Sequence, residues 1–158
     1  MEQLRVPTRR IEVEVFLEDG AQVKGTLFHR AAMYDCGGAA DVCHDLNDER
    51  AFLPFDTDDE NSGDALLSKR HIIRVLVHDF TVDQLGPGQT EQFEQASTSM
   101  LMLDDGTQLS GRLVLETPLA SSRLLDKFNQ APTFVPFVTD LGVELINCAH
   151  VVRIFRKD

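Results

Sequence analysis

Aliphatic and polar residues alternate near the start of the chain. Between residues 11 and 17, every second residue is Ile, Val or Leu, and most of the residues between them are Glu. This is the pattern of a β-strand with one buried face. Asp19-Gly20 follows and favours a tight hairpin turn, after which Val23 and Leu27 continue the alternation. This part of the sequence therefore predicts an antiparallel hairpin.

The chain also contains an internal repeat. Each copy has a strand, an Asp-Gly turn, a second strand with an internal Gly, an Asn, a Phe-x-Pro-Phe segment and a His before its last strand. The matching blocks keep the same order: residues 15–27 match 101–113, residues 46–55 match 128–137, and residues 71–75 match 150–154. Three ordered matches indicate a duplication.

Each copy contains about five short strand patterns and few helical ones, so we expect a mainly all-β protein. A Gly inside the second strand indicates a sharp bend, which is how a short sheet closes into a small barrel. The predicted organisation is two tandem, duplicated small barrels at residues 1–77 and 98–158, joined by a linker at 78–97. The first barrel carries a Cys-containing insertion at residues 30–45, and residues 90–96 of the linker predict a short helix.

The composition excludes several classes of protein. The 158 residues are 42% hydrophobic, which is too apolar for a disordered chain. No apolar run approaches the roughly 18–20 residues that span a bilayer, so we expect no membrane insertion. The N-terminus has no apolar run after its charges and is unlike a secretory signal. Three scattered cysteines fit a reducing cytosol better than a disulfide framework, so we expect a cytoplasmic protein.

The chain is acidic, and its charge is uneven. It has 26 Asp and Glu against 15 Lys and Arg, a net charge of −11, and residues 11–77 hold fourteen acidic and six basic residues. Phosphate binding needs clustered Lys and Arg, and neither copy shows such a cluster, so nucleic acid is a disfavoured partner. The acidic run at residues 56–60 lacks the ligand spacing of an EF-hand and is interpreted as a solvated loop.

The order of these elements resembles the Sm-like fold. It is most similar to a group of bacterial Sm-like domains of unknown function, in which a Leu-Asn pair precedes a Phe-Leu-Pro or Phe-Val-Pro segment. Residues 123–129 and 134–137 of the second copy carry this likeness best. The resemblance implies SH3-like small barrels that assemble edge to edge, and it carries no activity to the chain.

The likeness does not extend to the RNA-binding motifs of Sm proteins. Those proteins have an Asp four residues before the Asn, where this chain has Cys43 and Leu125. They also have an Arg-Gly-Asn-like or Lys-His turn between the last two strands. The turns here, residues 68–71 and 147–150, have no Gly, and only the first has a Lys.

Polar residues that recur in both copies are the candidate binding positions. Asn47 and Asn129 occupy equivalent places, and so do His71 and His150. A ligand-facing amide is one interpretation of each Asn, and hydrogen bonding within its own loop is the favoured one. Each His is interpreted first as a side-chain partner of the adjacent turn. Basic candidates for contacts to a partner are Lys69, Arg70, Arg123 and Lys127, joined by Arg74, Arg153 and Arg156 if the partner is RNA.

Cys36, Cys43 and His44, with His29 as a fourth residue, are the weak candidates for a metal site. Their spacing matches no standard zinc knuckle, and loop residues without a metal are the favoured interpretation. The sequence holds no Gly-x-Ser-x-Gly, His-Glu-x-x-His or phosphate-loop motif. We therefore expect no metal, no cofactor and no enzyme activity.

Three functions fit these observations. The first is a non-catalytic adaptor that binds a protein partner or itself through strand edges, with the acidic copy favouring a basic partner surface. The second is a single-stranded RNA-binding regulator of the Sm type. The third is a regulatory module that senses a small ligand in a pocket between the two copies. The absence of catalytic motifs and the duplication favour the first.

Overall fold

A computed structural model shows a mainly β protein. It describes residues 8–30, 38–58, 63–78, 98–113, 129 and 133–156. Several positions singled out from the sequence lie outside these residues, namely Cys36, Arg123, Lys127, the linker beyond residue 78 and its predicted helix at residues 90–96.

The described part of the chain forms ten strands and one α-helix. In the N-terminal half, residues 8–78, these are β1 (Thr8–Leu17), β2 (Gln22–Arg30), α1 (Gly38–Asn47), β3 (Phe52–Thr57), β4 (Asp64–Ser68) and β5 (Ile72–Val77). In the C-terminal half, residues 98–156, they are β6 (Thr98–Leu103), β7 (Gln108–Leu113), β8 (Phe134–Thr139), β9 (Gly142–Asn147) and β10 (Val151–Arg156). The prediction of five short strands in each copy is confirmed.

All ten strands belong to one antiparallel sheet, in the order β10-β6-β7-β8-β9-β5-β1-β2-β3-β4. Each half thus runs in the same order, with its last strand followed by its first, second, third and fourth. The prediction of two separate closed barrels is not confirmed, because no pairing between described strands closes either half on itself. Instead, β9 of the C-terminal half pairs with β5 of the N-terminal half and joins the halves into one sheet.

The repeat is also present in the turns. In each half the first hairpin closes with the same bonds, from Leu17 N to Ala21 O and from Leu103 N to Thr107 O, both 2.9 Å. The internal glycines of β2 and β7 also act alike. A Cβ on Gly25 would collide with the carbonyl oxygen of Asp56, and one on Gly111 with that of Val138. Both glycines therefore allow the third strand to approach closely.

The apolar side chains form two clusters, and strands β8 and β9 contribute to both. Phe134 and Leu145 pack into the first cluster with the core of the N-terminal half. Val135 and Ile146, their neighbours in sequence, pack into the second cluster with the core of the C-terminal half. This division follows from the alternation of side chains along a strand. Because these side chains have no exposed area, burial of each contributes on the order of 1.5–3 kcal/mol.

Helix α1 was missed by the sequence analysis, which treated the insertion at residues 30–45 as a loop. Ala39, Val42 and Leu46 are spaced three and four residues apart and are almost completely buried. Cys43 lies beside them against the same cluster. This spacing is the helical signal that was present, but a 10-residue helix is marginal without packing. Its contacts with β2 and β8 supply that packing.

No helix in the described part of the chain is long and apolar enough to cross a membrane.

Candidate interaction surface: the junction and the free edges

The two halves meet where β5 pairs with β9, and we call this pairing the junction. Its register places Val75 opposite Leu145 and Leu76 opposite Glu144. All four residues are at most 1% exposed. The junction is therefore as dry as the interior of either half, although it joins segments some 70 residues apart.

A buried ion pair crosses the junction. The guanidinium of Arg74 donates a hydrogen bond to the carboxylate of Glu144, which has no exposed area. The same guanidinium lies over the ring of Phe16, 3.7 Å from its centroid. Within the described part of the chain, Nε of Arg74 and Oε2 of Glu144 have no hydrogen-bond partner. A buried ion pair of this kind is weak evidence for stability, but removing the partner of one buried charge costs several kcal/mol. The pair therefore disfavours other registers of β5 and β9.

Two asparagines also connect the halves. Asn47, at the end of α1, donates from Nδ2 to the carbonyl of Phe134 at 2.9 Å and accepts from its N–H at 2.7 Å. Asn147, at the end of β9, donates to the carbonyl of Ile72 at 2.9 Å and accepts from Ala149 N. The amide of Asn47, a candidate binding residue, thus holds backbone of the other half. Asn129, its counterpart, is exposed.

The two candidate histidines contact the hairpin turns that contain Glu18 and Asp104, rather than the adjacent turn that the sequence favoured. Nδ1 of His150 lies 2.8 Å from Asp104, and its Nε2 lies 3.2 Å from Glu18 in the other half. His71 contacts Glu18 within its own half. The hydrogen bond with His71 is the main reason that the pKa of Glu18 lies below its usual range. His150 thereby links two hairpin turns across the junction.

Two of the basic candidates that the structure describes lie in ion pairs. Lys69 is buried, and its Nζ lies 2.5 Å from the carboxylate of Asp48, while Arg50 binds the other oxygen of that carboxylate at 2.8 Å. Burial alone would raise the pKa of Asp48, but the hydrogen bonds from Arg50 and Lys69 outweigh burial and hold it far below its usual range. Arg70 is exposed, and Arg74 is used at the junction. Among the described basic candidates, Lys69 and Arg74 are therefore occupied by carboxylates of the fold.

The metal candidates that the structure describes do not come together as a metal site. Cys43 packs against the first apolar cluster, whereas the side chain of His44 is 78% exposed. His29 is buried and contacts Asp45 at 2.7 Å and Asp41 at 3.5 Å. Among the described residues, no group of three or more His, Cys, Asp or Glu side chains is arranged to hold a metal ion. His29 thus ties β2 to α1 through carboxylates of the helix.

The ends of the sheet are β4 and β10, and each pairs on one side only among the described strands. We call their unpaired sides the β4 edge and the β10 edge. Leu66 on β4 is 71% exposed, and Phe155 on β10 is 44% exposed. A groove lies beside the β4 edge, on the outer surface of the N-terminal half rather than between the halves, and its lining includes Arg10, Phe28, Asp56 and Ala65.

Comparisons with protein-family models, with curated proteins and with solved structures found no match to this chain.

Proposed function

We propose that the protein is a non-catalytic interaction and assembly module, built from two Sm-like halves, that binds protein partners through its β4 and β10 edges. The observation that carries this proposal is the open ten-stranded sheet, whose two end strands each present a row of backbone N–H and C=O groups that no other described strand pairs with. Such a row is a template for an added strand, in which main-chain hydrogen bonds supply affinity and alternate side chains supply specificity.

Two further observations support edge binding. Both edges carry large exposed apolar side chains, Leu66 on β4 and Phe155 on β10, which an added strand would cover. The polar residues singled out from the sequence are occupied in holding the fold. Asn47 binds Phe134, Lys69 binds Asp48, and His150 binds Asp104. The edges are thus better placed than these polar residues to receive a partner.

The test compares the proteins that the chain captures when both edges are intact with those that it captures when one edge is altered. Native protein, the edge variants Leu66→Lys and Phe155→Lys, and the control Leu141→Lys are cross-linked in cell extract, and the captured proteins are identified by mass spectrometry. Leu141 is the matched control because it is 60% exposed but lies in the turn between β8 and β9, away from both edges. Native protein and the control are expected to capture the same proteins, and each edge variant to lose a part of them.

Two results would overturn the proposal. One is an unchanged set of captured proteins in both edge variants. The other is an absorbance peak near 260 nm in the purified native protein that disappears after ribonuclease treatment, together with capture that requires RNA. The second result is readable because the chain has no Trp and one Tyr and absorbs weakly near 280 nm. It would replace edge binding by the RNA-binding function.

A further inference from the structure

The face of the N-terminal half that points away from its core carries a row of apolar side chains. Odd-numbered residues of β1 point into the first apolar cluster, so Arg10 points outwards. Arg10 lies opposite Phe28 on β2, and Pro54 on β3 lies opposite Leu66 on β4. Directly opposite residues of an antiparallel pair point to the same face of the sheet. Phe28, Pro54 and Leu66 all line the groove described above, and we call them the apolar row.

The apolar row is open to solvent. Leu66 is 71% exposed, and Phe52, two residues before Pro54 on the same face of β3, is 54% exposed. Two of the five large hydrophobic residues that are exposed in the described chain thus lie on this face. The groove has a volume of about 440 Å³, within the range of about 300–1,000 Å³ typical of ligand clefts. An exposed apolar patch with a polar rim marks an interaction site.

A second row of side chains, next to the apolar row, is acidic. Thr26 on β2 lies opposite Glu12 on one side and opposite Asp56 on the other. Asp56 in turn lies opposite Asp64 on β4. Glu12, Asp56 and Asp64 therefore share the outward face, two residues along each strand from the level of the apolar row. We call these three carboxylates the acidic row, and two of them, Asp56 and Asp64, line the groove.

The charge of the acidic row is not neutralised by an ion pair within the described part of the chain. Glu14, on the same face of β1, differs in this respect, since it contacts His78 at 3.1 Å. Asp56 and Asp64 repel each other, because like charges directly opposite on neighbouring strands are destabilising. A cation placed over the two carboxylates would remove this repulsion.

We propose that this face binds a basic amphipathic α-helix of a partner protein. The apolar side chains of the helix lie on the apolar row, and its Lys or Arg side chains lie over the acidic row. The site goes beyond the proposed function, because it is made by side chains on a face of the sheet rather than by backbone groups of an end strand. It adds a second binding surface and specifies the chemistry of its ligand.

The backbone of this face favours a helix over a strand as the ligand. Strands β2 and β3 each pair with a neighbour on both sides, so their backbone groups are already used. A strand laid on the face would find no backbone partners, and its own N–H and C=O groups would lose water without compensation. A helix satisfies its own backbone hydrogen bonds and needs only side-chain contacts from the groove.

The dimensions of the face suit a helix of about three turns. From β1 to β4 the face crosses three strand spacings of about 4.8 Å each, or about 14 Å in all. A helix rises about 1.5 Å per residue, so about ten residues cover this length. An amphipathic helix carries an apolar stripe flanked by charged residues, which matches the two adjacent rows of the face.

The charge of the face selects the class of partner. The acidic row repels phosphate groups, which disfavours nucleic acids and anionic lipid surfaces as ligands. Helix α1 of a second copy is unsuitable, because it carries Asp41 and Asp45 and its apolar residues are already buried. Arg10 lies over the ring of Phe28, 5.3 Å from its centroid, at the β1 end of the apolar row. Its charge keeps the cations of a bound helix away from the apolar row and directs them to the acidic row.

The test uses a synthetic helical peptide of about 14 residues, with Leu at every third or fourth position and Lys at the others. One Leu of the peptide is replaced by Trp, because the chain itself has no Trp and peptide fluorescence then reports binding. Titration with the native full-length protein is expected to shift the Trp emission to shorter wavelength as the indole enters the groove. Circular dichroism is expected to show that the bound peptide is helical. Added salt is expected to weaken binding, because it screens the attraction between charges.

Two variants probe the two rows separately. Leu66→Ser shortens the apolar row and is expected to weaken peptide binding about tenfold. Asp64→Lys neutralises most of the acidic row and is expected to weaken binding by about tenfold at low salt and to reduce its salt dependence. The matched controls are Leu141→Ser and Asp140→Lys, at exposed positions of the turn between β8 and β9. Both controls are expected to bind as the native protein does, and circular dichroism verifies that every variant is folded.

Four outcomes would overturn the inference. One is no binding of the peptide by native protein at concentrations approaching millimolar. Another is an equal loss of binding in Asp64→Lys and Asp140→Lys, which would show only a general attraction to an acidic chain. A third is equal binding of a peptide of the same composition whose Leu residues are scattered around the helix. The fourth is a bound peptide with the circular dichroism of a strand, which would place the ligand at an edge and leave the proposed function standing.

Discussion

Arg74 and Glu144 belong to different copies of the repeat and form a buried ion pair at the junction between them. The repeat counterparts of these two residues cannot form such an ion pair, because the residue equivalent to Glu144 is Ala65. The pair therefore distinguishes the junction inside the chain from any contact between chains. It also specifies how β5 meets β9, because a shift in register would leave a buried charge without its partner.

Removing one member of this pair should be costly. Glu144→Leu leaves the Arg74 guanidinium in a dry environment and is expected to lower the free energy of unfolding by about 3–5 kcal/mol. Urea denaturation at neutral pH measures the change. The double variant Arg74→Met, Glu144→Leu serves as the control and is expected to recover most of the loss, because no unpaired charge remains. A loss of under about 1 kcal/mol for Glu144→Leu would show that the pair is not buried as the structure has it.

The two equivalent asparagines should differ in their effect on the folded chain. Asn47→Ala removes two hydrogen bonds to the backbone of Phe134 and is expected to cost about 1–3 kcal/mol of stability. Asn129→Ala changes an exposed side chain and is expected to alter stability by less than about 0.5 kcal/mol under dilute, dissociated conditions. Thermal or urea unfolding of both variants gives the comparison. Equal losses would contradict a structural role specific to Asn47.

Close approach of β8 to β7 should make Gly111 intolerant of a side chain. The added methyl group of Gly111→Ala would collide with the carbonyl of Val138, so we expect a loss of about 1–3 kcal/mol as the strands shift apart. Ser110→Ala, at the preceding exposed position of the same strand, is the control and is expected to change stability by less than about 0.5 kcal/mol. Indistinguishable unfolding curves for the two variants would show that β8 does not lie this close.

Acid should weaken the contact between Asp48 and its two cations. The folded-state pKa of Asp48 lies far below its ordinary value of 3.8, so its carboxylate stabilises the fold above pH 3.8. That contribution is lost as the pH falls from 3.8 towards the folded-state pKa. We therefore expect Lys69→Met to be less stable than the native protein near pH 6, with the difference shrinking at acidic pH. Urea titrations at several pH values measure this difference, and one that grows on acidification would contradict the assignment.

Local features of the fold were accessible from the sequence because they depend on neighbouring residues. The alternation in β1 and the Asp-Gly turn after it both reflect short-range backbone geometry. Helix α1 was missed, since its apolar spacing covers only three turns and becomes decisive once Val42 and Leu46 dock on the sheet. The sequence favoured His71 and His150 as partners of the turn beside each of them, whereas they contact the first hairpin turns. These carboxylate partners were not predicted, because Glu18 and Asp104 lie far away in sequence.

The sequence by itself determined the repeat, the number of strands in each copy and the residues able to form a core. Only the tertiary structure decided that β9 pairs with β5, and so which copies of a repeated residue are buried. Leu66 and Leu145 show the reason. They occupy the same position of the repeat, yet one is 71% exposed and the other has no exposed area. The burial of a strand residue depends on whether another strand lies beside it, and that neighbour is chosen by long-range pairing, which no local pattern encodes.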